Sequence, residues 1–223
     1  MATKDETASV GAVVFDYGGV LTTPVRDSIA AWLDRDGIDP DSFSRTLKSW
    51  LSRSASKGTP AHRLETGELS VAEFDRLLAA ELVHVDGSPV SPDGVLDALF
   101  AELRTDPAMF DLAGELKTLG MRVALLSNSW GNTYPWAKIN ALFDPVVISG
   151  QVGMRKPDAD IFEHLLGLLG LRADEAVFID DAEPNIEGAA RLGFRTVQHA
   201  GPRDTRAALA RLIPGLNPGP RTA

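Results

Sequence analysis

Residues 10–21 read VGAVVFDYGGVL, a short apolar and β-branched run from Val10 to Phe15 that stops at a carboxylate, Asp16, and passes into the glycine pair Gly18 and Gly19. A run of this kind, bounded by turn formers, predicts a buried strand feeding a tight turn. Three later stretches repeat the arrangement. Val123 to Leu126 ends in Ser127 and Asn128, Val146 to Ile148 in Ser149 and Gly150, and Val177 to Ile179 in Asp180 and Asp181. Thr196 to Gln198 adds a last strand. Helical patterns cover Asp111 to Leu119, Pro135 to Leu142, Asp158 to Leu169, Pro184 to Leu192 and Arg203 to Leu212, several of them closed by a glycine such as Gly120, Gly170 or Gly193. Strands alternating with helices predict an α/β fold: a Rossmann-like parallel sheet, the first strand central, with helices on both faces.

Residues 16–122 carry no comparable strand signal. They show helical patterns near Arg26 to Arg35, Asp41 to Leu51, Ser70 to Leu82 and Pro92 to Leu103, broken by loops such as SKGTPAHRLETGELS at 56–70. A right-handed crossover between neighbouring parallel strands needs far less chain. The expected organisation is therefore an α/β core at 10–23 and 106–213, an inserted α-helical cap at 24–105, and disordered tails at 1–9 and 214–223.

The 223 residues include 22 Lys and Arg against 31 Asp and Glu, a net charge of −9, and 44% hydrophobic residues. This is the composition of an ordinary soluble globular chain. The acidic balance argues against nucleic acid or an anionic membrane as partner, while leaving room for a small anion held by a few local cations. The chain has no cysteine, which excludes disulfides, thiolate nucleophiles and thiolate-bound metals. No apolar run approaches the ~20 residues that span a bilayer, and the first residues lack a secretory pattern, so a cytoplasmic location is expected. Oligomeric state is not readable. The glycine-rich nucleotide loops G-x-G-x-x-G and G-x-x-x-x-G-K, the G-x-S-x-G elbow and the H-E-x-x-H zinc motif are all missing from the sequence.

Ligands of open parallel sheets bind beyond the carboxyl ends of the strands. Here those ends carry Asp16, Ser127 with Asn128, and Asp180 with Asp181, and Lys156 follows the third strand closely. Each residue type alone is an ordinary turn or cap former. Their coincidence on one rim suits phosphoryl transfer through a carboxylate nucleophile, with Asp16 attacking phosphorus and Lys156 and Ser127 holding phosphate oxygens. A hard cation, Mg²⁺, would relieve the repulsion between carboxylate and phosphate, with Asp16, Asp181 and the Gly18 carbonyl as oxygen ligands.

Four motifs taken together, FDYGGVL (15–21), LLSNS (125–129), MRKP (154–157) and FIDDAEPN (178–185), resemble the haloacid dehalogenase superfamily of aspartate-nucleophile hydrolases. The nearest branch is the capped one that includes the phosphatase domain of soluble epoxide hydrolase and bacterial glucose-1-phosphate phosphatases. The resemblance spans Val13 to about Gln198. It implies Asp16 as nucleophile, Asp181 as direct metal ligand, Asp180 with Asn185 behind it, and Ser127, Asn128 and Lys156 around the phosphate of a small phosphorylated substrate.

One departure bears on the chemistry. Most phosphatases of the superfamily carry a second aspartate two residues after the nucleophile as general acid and base, a role generally worth about 10²- to 10⁴-fold; here that position is Gly18. Glycine also occurs there in the resembling glucose-1-phosphate phosphatases. A turn requiring positive φ is the plain reading of the glycine pair, and His62 and Glu65 in the cap loop are candidate replacements for the acid. Two alternatives stay open. A 2-haloacid dehalogenase also lacks the second aspartate, but has no evident use for paired Asp180 and Asp181. A weakly active or inactive relative could bind a phosphorylated ligand or a partner, though it has no chemical need for Asp16, Lys156 and Asp181 together. Of the tryptophans, Trp32 and Trp50 are expected in the core of the cap. Trp130 either lines a substrate pocket or packs between sheet and cap.

Overall fold

The computed structural model of the chain describes residues 9–52, 54–131 and 133–219. In chain order its elements are β1 (Ala12–Phe15), five helices α1 (Val25–Asp36), α2 (Pro40–Leu51), α3 (Pro60–Glu65), α4 (Val71–Glu81) and α5 (Val95–Leu99), then α6 (Pro107–Thr118). There follow β2 (Arg122–Ser127), α7 (Trp136–Leu142), β3 (Val146–Ile148), α8 (Ser149–Val152) and α9 (Ala159–Leu169). β4 (Ala176–Asp180), α10 (Glu183–Arg191), β5 (Arg195–Gln198) and α11 (Pro202–Ala210) complete the order.

The strands pair in parallel in the order β3-β2-β1-β4-β5, with β1 at the centre. Phe15 is in register with Leu125 on one side and Ile179 on the other. Side chains of a strand alternate between faces. Val13 and Phe15 therefore join Leu125, Ile179 and the α6 residues Leu112 and Leu116 in one core. Ala12 and Val14 join Leu126, Phe178 and the α9 residues Ile161 and Phe162 in the other. Burial on both faces is why these strands read as continuous apolar runs rather than as alternating ones.

The order of the sheet reverses beside β1: the chain moves from β1 to β2 and β3 on one side, then returns to β4 and β5 on the other. Such a reversal opens a crevice at the carboxyl ends of the strands. Asp16 and Asp180 flank it.

Helices α1 to α5 gather around their own apolar centre, with Trp32, Phe43, Trp50 and Phe74 at its heart. Both tryptophans expected to be core are buried. The chain leaves and re-enters the sheet through two adjoining segments: Thr22 and Thr105 form an antiparallel bridge, and Thr23 N donates to the Arg104 carbonyl at 2.8 Å. Trp130, from the loop after β2, inserts into the helical cluster and meets Phe74 edge-on at 5.4 Å between ring centroids.

Two helical expectations need correction. The pattern at Pro92 to Leu103 yields only the short α5, because Gly94 adopts a left-handed conformation (φ 69°) immediately before it and the backbone after Leu99 turns out of the helix. The loop at 56–70 contains a helix, α3, started by Thr59, whose hydroxyl accepts from His62 N at 3.3 Å, and by Pro60 at its first position. Of the expected tails, residues 1–8 and 220–223 lie outside the described residues; Leu216 is buried against the sheet core. Among the described residues no helix is long and apolar enough to cross a membrane.

Phe74 is fully buried between Trp50 and Trp130. Phe74→Ala is expected to destabilise the protein by about 3–5 kcal/mol, read as a lowered urea midpoint. An unchanged midpoint would show that the helical cluster contributes nothing to cooperative unfolding.

Candidate active site

Four segments converge at the crevice. Asp16 follows β1, Ser127 ends β2, Asp180 ends β4 with Asp181 next to it, and Lys156 lies in the loop between α8 and α9. Lys156 is 1% exposed, and its ammonium donates to Asp16 Oδ1 and to Asp180 Oδ2, each at 2.6 Å. A buried lysine survives as a cation only with such partners. Burial pulls its pKa down, but the charges and hydrogen bonds of Asp16 and Asp180 pull harder and raise it. The two carboxylates therefore favour the charged form of Lys156.

Asn128 sets the position of that lysine. Its Oδ1 accepts from Lys156 N at 2.9 Å and its Nδ2 donates to the Lys156 carbonyl at 3.0 Å. Both ends of the side chain are thereby committed to backbone. Asn128, expected beside the phosphate, lines the cavity above Asp16 and also clamps the loop that carries Lys156.

The two neighbouring aspartates on β4 differ in kind. Asp180 is fully buried and its carboxylate accepts from Lys156 Nζ, from Ala182 N at 2.8 Å, and from Asn185 Nδ2 at 3.1 and 3.0 Å to its two oxygens. That saturates it. Asp181 is the outward member of the pair, and packing around it together with the charge of Asp180 raises its pKa.

Asp16, Asp180 and Asp181 each offer a carboxylate oxygen, and these lie within 4.8 Å of one another. One ammonium among three carboxylates leaves the cluster short of positive charge. The deficit shows in Asp16: burial, and then the charges of Asp180 and Asp181, outweigh the pull of Lys156 and push its pKa up to about 7. An all-oxygen donor set with surplus negative charge fits a hard divalent cation such as Mg²⁺.

The glycine pair is resolved by geometry. Gly19 has φ 78°, and a Cβ there would stand 2.5 Å from Asp181 Oδ2, so this position needs glycine twice over. Gly18 has no such requirement: its φ is not in the left-handed region, and a Cβ would meet only Val25 Cγ2 at 3.4 Å. The missing carboxylate at 18 is a chemical difference rather than a demand of the turn.

Neither proposed replacement acid stands unengaged beside Asp16. Glu65 lines the cavity above Asp16, but its Oε1 accepts from Trp130 Nε1 at 2.8 Å and its Oε2 from Arg155 Nε at 2.5 Å. Its backbone carbonyl also accepts from Ser149 Oγ at 2.5 Å. Glu65 thus fastens α3 to the sheet, and close by Gly67 packs directly on the Gly150 carbonyl. His62 lines an adjacent cleft that does not include Asp16. Trp130 fills both expected roles, lining the cavity and packing on Phe74.

Two participants escaped the sequence reading. Tyr134 Oη lies 3.1 Å from Ser127 Oγ, and its ring stacks on Tyr17 at 4.6 Å. Arg155, next to Lys156, forms the Glu65 ion pair. The only local signal for either was adjacency to a motif.

A family model for haloacid dehalogenase-like hydrolases matches residues 10–193. Pig bifunctional epoxide hydrolase 2 is 26% identical over 216 residues, 90% of this chain and 38% of that protein. The chain spans still less, 18%, of mouse acyl-CoA dehydrogenase family member 10. D-ribitol-5-phosphate phosphatase of Bacteroides thetaiotaomicron is 27% identical over 219 residues, covering 90% of this chain and 97% of that one. Among solved structures, a Porphyromonas gingivalis protein described as a predicted HAD-like family hydrolase superposes with a TM-score of 0.67 at 27% identity, covering 92% of this chain and 98% of that one.

Removing the lysine would leave Asp16 and Asp180 without their cation. Lys156→Met is expected to lower the unfolding free energy by about 3–5 kcal/mol, measured by urea denaturation at neutral pH. A variant as stable as the parent would contradict the electrostatic role given to Lys156.

Proposed function

The chain belongs to the haloacid dehalogenase-like hydrolase family, and from that premise we propose that it hydrolyses small phosphate monoesters with Mg²⁺, by way of a phosphoryl group carried on Asp16. The observation that carries the reading is the charge balance at the crevice: three carboxylates share one ammonium beside a cavity wide enough for a ligand. Attack on a neutral carbon, as in a dehalogenase, has no use for that surplus. A phosphate ester brought with a divalent cation does. The phosphatases among the relatives support the same choice.

In the first step an Asp16 oxygen forms a bond to phosphorus as the bond from phosphorus to the alcohol oxygen breaks, and the alcohol leaves with a proton. Water then adds to phosphorus, the acyl–phosphate bond breaks, and inorganic phosphate leaves with Asp16 restored as a carboxylate. Lys156 holds Asp16 in place and offsets negative charge as the phosphoryl group arrives. Ser127 presents its hydroxyl to a phosphate oxygen, oriented by Tyr134. Asn128 acts at one remove by fixing the Lys156 backbone, and Asp180 with Asn185 fixes its ammonium.

Mg²⁺ would be held by Asp16, Asp181 and the carbonyl of Gly18, where it supplies the charge neutralisation that lets two anions approach. The saturated hydrogen bonding of Asp180 favours Asp181 as the direct ligand of the pair. With Gly18 in place of an acid, departure of the alcohol depends on its own basicity or on solvent, so esters of acidic alcohols should turn over fastest. Helices α1 to α5 serve as a cap over the site, admitting substrate through opening about the paired segments at Thr22 and Thr105.

Hydrolysis of p-nitrophenyl phosphate tests the reading. Turnover is expected with Mg²⁺, to be lost in EDTA and restored by added Mg²⁺, and to fall by at least about 10³-fold in Asp16→Asn, the scale of losing a nucleophile. Turnover indifferent to both EDTA and Asp16→Asn would overturn it. Release of halide from a 2-haloacid without metal would replace it by the dehalogenase alternative, for which the absent acid at Gly18 is the favouring observation.

A further inference from the structure

The cavity above Asp16, about 240 Å³, keeps its polar groups on the floor: Asp16, Asn128, Lys156, Asp181 and Asn185. Its walls come from the helical insert and are apolar, with Val25 and Ile29 of α1, Phe43 and Leu47 of α2, and Leu99 and Phe100 at the end of α5. Among the described residues Glu65 is the one polar side chain the insert contributes, and its two oxygens are bonded to Trp130 and Arg155. Those residues therefore offer a substrate hydroxyl no side-chain donor from the insert and only the remaining lone pairs of this one carboxylate. Each hydroxyl buried without a partner costs about five- to a hundredfold in affinity.

A second feature extends the same surface. Phe43, Leu47 and Leu51 recur every four residues along α2 and so share one face of the helix. Beyond the cavity the same three, flanked by Ser44, Lys48 and Ser52, line a shallow groove at the surface. A hydrocarbon longer than the cavity can follow these three side chains outward.

A larger cleft nearby, about 590 Å³, mixes apolar lining such as Leu51 and Met154 with the charged or titratable groups Lys57, His62, Arg155 and Asp158. It shares Leu51, Glu65, Asn128, Ala182 and Asn185 with the cavity but includes none of Asp16, Lys156 and Asp181. Asp16 itself opens onto the apolar cavity.

Taking the phosphatase reading as its basis, we propose that the substrate is the phosphate monoester of an apolar alcohol, its hydrocarbon lying against Phe43, Leu47 and Phe100, and not the phosphate of a sugar or polyol. Terpenoid, fatty and simple aryl alcohols share this chemistry, and chain length distinguishes them.

Non-hydrolysable n-alkylphosphonates from methyl to octyl, titrated calorimetrically into the protein with Mg²⁺, test the proposal without needing turnover. Affinity is expected to rise by about fourfold per methylene over the first several carbons, the factor for burying one CH₂. A polyhydroxylated phosphonate of equal length should bind no tighter than methylphosphonate. Leu47→Asn, at a half-buried position that tolerates polarity, should cut the octyl-to-methyl affinity ratio about tenfold or more, in keeping with the loss of several buried methylenes. Affinity flat with chain length, tighter binding of the polyhydroxylated probe, or an unchanged ratio in Leu47→Asn would each overturn the proposal. Failure of the phosphatase reading is seen separately, as absent p-nitrophenyl phosphate turnover. A flat phosphonate series with turnover intact contradicts the apolar substrate alone.

Discussion

The buried ammonium of Lys156, held between Asp16 and Asp180, is the contact on which the site is organised. It joins two adjacent strands at the point where the sheet reverses, and its own backbone is clamped by Asn128 from a third. Four segments distant in sequence are thereby tied through one cation. A buried charge of this kind is costly unless every partner is present, so the sheet register, the β2 loop and the segment before α9 must all be correct for the core to close. The same arrangement leaves negative charge in excess, and the proposed function rests on that excess.

Stability and reactivity pull in opposite directions here. Burial of Asp16, and with it like charges confined within 4.8 Å, destabilise the fold, as the raised pKa of Asp16 records. The extensive parallel core beneath the crevice, buried on both faces of β1, offsets that cost. The helical insert is secured differently, by the antiparallel pair at Thr22 and Thr105 on one side and by Glu65, Trp130 and Arg155 on the other. The cap opening proposed above would part the Glu65 contacts while the paired segments hold. In this arrangement Glu65 fastens the insert, and the glycine at 18 remains without a carboxylate substitute near Asp16.

Much of this was legible in the sequence because the strands are buried on both faces. Continuous apolar runs at Ala12–Phe15, Val146–Ile148 and Ala176–Asp180 announce themselves, and the carboxylates after the first and at the end of the last meet at the crevice. Position along a strand end, however, does not say which way a side chain bonds. Asn128 has the residue type of a phosphate ligand, and only the three-dimensional placement of Lys156 turns it into a clamp. The Glu65–Arg155 pair spans 90 residues and has no periodic or local signature. Short helices were misjudged for a related reason. With six residues in α3 and five in α5, capping and glycine geometry decide the outcome, and these are weak signals against the surrounding loop. The glycine pair illustrates the limit well: one pattern, two residues, and a steric requirement only at Gly19.

The account rests on Asp16 bonding covalently to phosphorus, and the direct measurement is to catch that bond. Acid quenching during turnover of p-nitrophenyl phosphate, followed by peptide mass analysis, should find a phosphoryl increment on the peptide bearing Asp16, removed by borohydride reduction as expected of an acyl phosphate. Turnover that proceeds while that peptide is never modified, even with product release slowed by cold, would contradict the central claim.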